Sequence, residues 1–147
     1  DAVALAELRW SWQVGVGREP AMAREEFTTA FERWFGDHRD THVAFLAEAD
    51  GAAVGMAWLA LIDRVPGPAV WHRLAGSLQS VFVEPSHRDR GLGAALTAAV
   101  IDEGVARRLD YLIVHPSQRS FPLYRRLGFR ESGGVLELDL RDRHQPS

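Results

Sequence analysis

A chain of 147 residues has room for one ordinary domain, and 46% hydrophobic with 25% charged residues gives it enough apolar surface for a core, which excludes a disordered chain. The formal charge of −3 offers no bulk attraction to nucleic acid or to an anionic membrane, and the lack of cysteine excludes disulfides, Cys-ligated zinc and covalent thiol catalysis. No apolar run approaches the roughly 20 residues of a membrane crossing and the first residues lack a basic-then-apolar signal pattern, so a cytoplasmic protein is expected.

In chain order, residues 1–12 show Leu5, Leu8 and Trp12 at helical spacing, and residues 23–35 predict a second helix with Phe27, Phe31 and Trp34 on one stripe, stopped by Gly36 and Asp37. The segment 41–62 holds two strand-like runs around Asp50-Gly51, a turn pair that tolerates positive φ, and so predicts an antiparallel hairpin. Pro66, Gly67 and Pro68 open a loop that continues through residues 69–76, before a strand at 77–83 ended by Glu84-Pro85. A helix over 91–108 and a buried strand at 109–115 complete a β-α-β unit. A short helix at 118–126, a break at Gly128-Phe129, a last strand at 134–140 and a solvated tail at 141–147 follow. In that last strand Val135, Glu137 and Asp139 alternate with Leu136, Leu138 and Leu140.

The stretch HRDRGLGAAL, residues 87–96, joins a strand to a helix with two glycines one residue apart. Such a turn offers unpaired N–H groups at the positive end of a helix dipole, which suits a phosphate or pyrophosphate, and Arg88 and Arg90 add charge-assisted donors. An ordinary tight turn with a charged lip has the same residues. A Walker A loop is excluded, because Ala94 and Ala95 follow Gly93 where Lys and Ser or Thr are needed. A dinucleotide fingerprint fits poorly: Leu96 stands where a small residue belongs, and Asp110 begins the next strand instead of ending it. His87-Arg88-Asp89 and His38-Arg39-Asp40 lack the Asn that completes a kinase catalytic loop.

Set in its surroundings, VFVEPSHRDRGLGAAL resembles the acyl-CoA segment of the GNAT superfamily of N-acyltransferases, an apolar strand ending in V-x-P followed by [RQ]-x-x-G-x-[GA]. Val83-Glu84-Pro85 and Arg88-x-x-Gly91-x-Gly93 match it. Downstream, Tyr124 followed by Gly128 and Phe129 resembles the same family's later motif. The likeness is strong over 77–130 and topological before it, and it puts the family's first strand ahead of Asp1.

The resemblance implies an α/β (α+β) fold over 1–147: a mixed, mostly antiparallel sheet flanked by helices and splayed between the strands at 77–83 and 109–115, where acetyl-CoA enters. It implies that backbone amides of Arg88, Asp89, Arg90, Gly91, Leu92, Gly93 and Ala94 hold the pyrophosphate, that the backbone of Phe82 and Val83 pairs with the pantetheine arm, and that Ser117 stands where the family often has Asn. It further implies Tyr124 as the proton donor to the departing thiolate, against a core tyrosine at a helix-strand junction as the plainer role. The expected reaction is acetyl transfer from acetyl-CoA to a primary amine on a small molecule, peptide or protein, by a monomer or homodimer without a metal. A non-catalytic acyl-CoA-binding module on the same fold is the other class.

Some family members carry a carboxylate on the strand that here holds Ser77 and Gln79, and neither of these is a base near neutral pH. Glu84, His72 and Asp63 are the alternatives nearby in sequence, and backbone N–H of Phe82 or its neighbour would stabilise the oxyanion. His38 and His42 have metal-binding i, i+4 spacing, yet their place between Gly36 and a strand predicts solvated loop histidines. Trp10, Trp12, Phe27, Phe31, Trp34, Trp58 and Trp71 belong to a helix core or to an acceptor wall.

Overall fold

A computed structural model describes residues 1–144, and its contacts divide into two compact units, residues 1–115 and the residues from Pro116 onward. The end of the expected tail, Gln145 to Ser147, lies outside the described residues.

The first unit begins with α1 (Ala2–Gly15), which starts where the Asp1 carboxylate accepts hydrogen bonds from Val3 N and Ala4 N, satisfying two of the donors a helix start leaves open. Next comes α2 (Arg24–Asp37), with Glu25 and Glu26 in its first turn, where the helix dipole favours negative charge. The predicted hairpin forms as β1 (His42–Ala49) and β2 (Ala52–Asp63). Its turn residues Asp50 and Gly51 have φ of 52° and 80°, the two positive values of a two-residue type I′ turn.

The strand expected at 77–83 is longer, β3 (Leu74–Val83), because Leu74 to Gly76 already pair with Asp63, Ile62 and Leu61. A 3-10 turn at Pro85–His87 leads to α3 (Leu92–Ala106), and the chain returns as β4 (Leu112–Val114), parallel to β3. Among the described residues the sheet order is β1-β2-β3-β4. The buried strand expected at 109–115 is therefore a short edge strand: Tyr111 and Ile113 are exposed, as expected where one side of a strand has no ladder.

Even-numbered residues of β2 face α1 and α2, where Met56 and Trp58 join Leu5, Leu8, Phe35 and Phe82 in one apolar cluster. Odd-numbered ones face α3: Leu96 lies against Gly55, and Leu59, Leu109 and Leu112 converge on Gly76. In α2 the buried aromatic is Phe35, while Trp34 of the expected stripe remains 37% exposed. Phe35 meets Trp58 edge to face with ring centroids 5.1 Å apart, and a helix register shifted by one residue brings it to the sheet.

In the second unit, α4 (Phe121–Arg126) is shorter than the helix expected over 118–126. The strand expected over 134–140 does not form. These residues have no regular structure, and Val135 and Leu136 are 78% and 98% exposed. Alternation can give a strand its two faces, but no ladder partner takes its N–H and C=O groups here.

Candidate functional site

The ladder between β3 and β4 stops at Leu78↔Val114, and among the described residues β3 from Gln79 to Val83 is paired as a strand with β2 alone. One edge of that segment therefore has no strand partner, a geometry that can take an extended ligand as an added strand, although Val83 O on it accepts from Arg88 Nε. The segment is also bulged. Trp58 pairs with Gln79 and Met56 with Phe82, so Ser80 and Val81 together oppose Ala57, and Ser80 sits at φ 52°. A serine in the left-handed region is uncommon and signals that tertiary contacts hold it there.

One of those contacts comes from α1. Arg9 Nη1 donates to Ser80 Oγ at 2.8 Å, its guanidinium lies 5.1 Å from the Trp12 ring, and Trp12 in turn stacks on Phe82 at 5.9 Å. Sequence reasoning missed both Arg9 and the bulge. The available signal was the place of Arg9, beside Leu8 and four residues after Leu5, at the border of the apolar stripe of α1.

Beyond Val83 the chain makes a turn of uncommon backbone shape. Asp89 has φ 62° and Gly91, the residue that precedes α3, has φ 77° with no side-chain cap. Among the described residues, none of the N–H groups from Asp89 to Ala94 donates to a protein acceptor; the nearest bonds on either side are Arg88 N to Pro85 O and Ala95 N to Gly91 O. A helix start ordinarily leaves four such donors, and this turn adds to the run at the positive end of the dipole. A Cβ on Gly91 would meet nothing within 4 Å, so its glycine is needed for the positive φ and not for space. Arg88 is partly committed elsewhere: its Nε donates to Val83 O at 3.0 Å, which ties the turn back to the strand.

In the second unit, Tyr124 and the later motif acquire a local meaning. Leu127 caps α4, Gly128 N donates to Arg125 O, and Phe129 N donates to Tyr124 O, the bond pattern of a Schellman stop with Gly128 at φ 99°. Phe129 then meets Tyr124 edge to face at 5.5 Å. The spacing from Tyr124 to Gly128 and Phe129 is the spacing of a helix end whose final aromatic steadies the tyrosine ring. Tyr124 is 6% exposed, and burial holds its phenol above the usual value, in the protonated form. Its hydroxyl has no protein partner among the described residues, yet no buried side-chain oxygen lacks one, so the oxygen keeps contact with solvent. Ser117 is used locally: its Oγ lies 2.9 Å from Ser120 Oγ and accepts from Ser120 N, shaping the entry to α4.

Of the possible bases, Asp63 pairs with Leu74, five residues from Gln79, which is roughly 17 Å along a strand. His72 Nε2 is bonded to Arg108 O. Neither is brought to the bulge, whereas Glu84 directly follows β3 and donates its N–H to Val54 O. Ser77 is buried and Gln79 is exposed on the face that carries Trp58. His38 and His42 are not free in solvent: Trp34 stacks on His38 at 4.5 Å and meets His42 at 5.0 Å, and His42 opens β1 level with Ala60 and Ser77. Burial, followed by the neighbouring His38, holds His42 below its usual value and so in the neutral form. Among the described residues no cluster of His, Asp and Glu suited to a metal is present. No helix among them is long and apolar enough to cross a membrane.

The comparison with protein families finds the acetyltransferase (GNAT) family over residues 3–129, a stretch that takes in the free strand edge, the amide turn and the Tyr124 motif. Glucosamine 6-phosphate N-acetyltransferase of Trypanosoma brucei brucei is 35% identical over 68 residues, 46% of each chain. Mycothiol acetyltransferase of Acidothermus cellulolyticus is 32% identical over 111 residues, which is 69% of this chain and 33% of that one. The chain thus spans about half the length of the first relative and a third of the second. Among solved structures, a predicted acetyltransferase of Clostridium acetobutylicum with acetyl-CoA matches at a TM-score of 0.77 and 23% identity, over 99% of this chain and 96% of that one. At that identity the match establishes the fold.

Proposed function

Because the chain belongs to the acetyltransferase (GNAT) family, we propose that it transfers an acetyl group from acetyl-CoA directly to a primary amine. The observation that carries this reading is the free run of amides from Asp89 to Ala94 at the start of α3, next to the unpaired edge of β3 from Gln79 to Val83. Six donors at the positive end of a helix suit a pyrophosphate, and an open strand edge suits the amides of a pantetheine arm. In this reading Arg88, Asp89, Arg90, Gly91, Leu92, Gly93 and Ala94 hold the first and Phe82 and Val83 the second. Ser117 joins the set by motif position alone.

The chemistry balances without a covalent intermediate. A neutral amine attacks the thioester carbonyl to give a tetrahedral adduct, the carbon–sulfur bond breaks, the thiolate leaves as CoA thiol with a proton from Tyr124, and the extra proton on nitrogen passes to solvent, which returns one to Tyr124. An amine with a pKa of about 10.4 must first be deprotonated, and the strand that holds Ser77 and Gln79 supplies no carboxylate for it. That gap favours a second reading, an acyl-CoA-binding module that does not turn over. A cytoplasmic site of action belongs to the first reading.

Thiol release from acetyl-CoA across a panel of primary amines, run beside a thermal-shift titration with acetyl-CoA, separates the two. The transfer reading expects a raised Tm and thiol release above the hydrolysis rate with at least one amine. A raised Tm with no amine-dependent release would leave only the binding module.

A further inference from the structure

Among the described residues no carboxylate comes within ion-pair distance of Arg9, as for most arginines of this chain; what sets Arg9 apart is where it lies. It is half buried, held between the Trp12 ring and the Ser80 hydroxyl, and the one hydrogen bond to Ser80 engages a single donor of the five on a guanidinium. Removing a charge from water without pairing it is unfavourable, so such a group persists where something else supplies the pairing. Burial lowers the pKa of Arg9, as it must for a guanidinium taken partly out of water.

The position of Arg9 gives its free donors a purpose. Ser80 is the bulged residue where the β3–β4 ladder has already ended, at the start of the free edge assigned above to pantetheine. A planar guanidinium held over an indole, with donors to spare, suits two parallel hydrogen bonds to a carboxylate or phosphate. We propose that Arg9 binds an anionic group of the acceptor, so that the preferred substrate is a small amine that also carries a carboxylate or a phosphate. This rests on the acetyl-transfer reading, and it makes Arg9 a specificity determinant that touches substrate away from the reacting atoms.

The test uses two matched pairs, glucosamine 6-phosphate against glucosamine and alanine against alaninamide, with wild type, Arg9→Gln and Arg9→Lys. Binding of each compound is measured calorimetrically with CoA held at saturation, and kcat/KM is measured with acetyl-CoA. The proposal expects about tenfold or greater preference for the charged member of one pair, the typical size of a charge-assisted bond. That pair tells phosphate from carboxylate. The preference should vanish in Arg9→Gln and return in part in Arg9→Lys; because Arg9 also holds Ser80 at the bulge, the readout is the ratio within each pair and not KM for acetyl-CoA. In wild type, inorganic phosphate should compete with the charged acceptor in the presence of CoA, a readout that needs no variant to fold. Equal binding within both pairs, or a preference that survives Arg9→Gln, overturns the proposal. Charged-member binding that depends on Arg9 without any thiol release would instead keep this inference and sink the transfer reading.

Discussion

Replacing Tyr124 by Phe is expected to lower kcat by about 10²-fold, the usual size of a general-acid contribution, and to leave the affinity for acetyl-CoA unchanged. The substitution deletes one oxygen and keeps the ring that meets Phe129 at 5.5 Å, so the helix stop that orients it is preserved. The chemistry fixes what the hydroxyl can do. A phenol near pKa 10 is a weaker acid than a thiol near pKa 8.5, and burial of Tyr124 pushes it further up. The proton is therefore always present near neutral pH. In the proposed transfer it would be given up only as negative charge builds on the departing sulfur. Unchanged turnover in Tyr124→Phe would reduce the residue to its structural role at the end of α4.

Gly76→Val should destabilise the fold by about 3 kcal/mol, the upper end for overpacking a closed core, which lowers Tm by roughly 6–12 °C for a chain of this size. A Cβ at Gly76 would lie 2.6 Å from Leu59 Cδ1, 2.8 Å from Leu112 Cδ2 and 2.9 Å from Leu109 Cδ1. Any one leucine tip could turn aside. Three converge on the same point, and Leu59 is fully buried with nowhere to move. The first residue pair that β3 and β4 share is Gly76↔Leu112, so the strain falls at one end of their three-pair ladder. Gly76→Ala should show a smaller loss, because one methyl is added and glycine's backbone entropy in a strand is recovered. A Gly76→Val protein that melts within about 2 °C of wild type would mean that the three leucines repack freely.

Elements whose signal is local were legible in the sequence. Asp50-Gly51 announced the hairpin because its turn requires two positive φ values, and Glu84-Pro85 with Gly91 bracketed the turn before α3. The family motifs located the amide run from Asp89 to Ala94, since glycine at a left-handed position is readable as glycine. What escaped depended on tertiary contacts. Ser80 carries no mark of its left-handed conformation, which Arg9, distant in sequence, helps to hold. In α2 the choice between Trp34 and Phe35 turns on a rotation of one residue that periodicity of aromatic side chains does not fix. The segment 134–140 has the alternation of a strand, but pairing is a property of two segments and the pattern describes one.

The same division holds at the site. In the proposed reading, donor recognition relies on main-chain groups arranged by short motifs, and so it could be read. Acceptor choice in that reading would rely on side chains brought together from separate elements, as Arg9 on α1 is brought to Ser80 on β3. No spacing rule links those positions.

The central claim, direct transfer from acetyl-CoA to an amine, is tested most directly by following labelled acetyl-CoA in a single turnover with the best amine acceptor. The label should pass to the amide product at the rate at which CoA thiol appears, with none retained on the protein, which has no cysteine to carry it. Label that stays in acetyl-CoA, or leaves only as acetate at a rate no amine changes, would contradict the account.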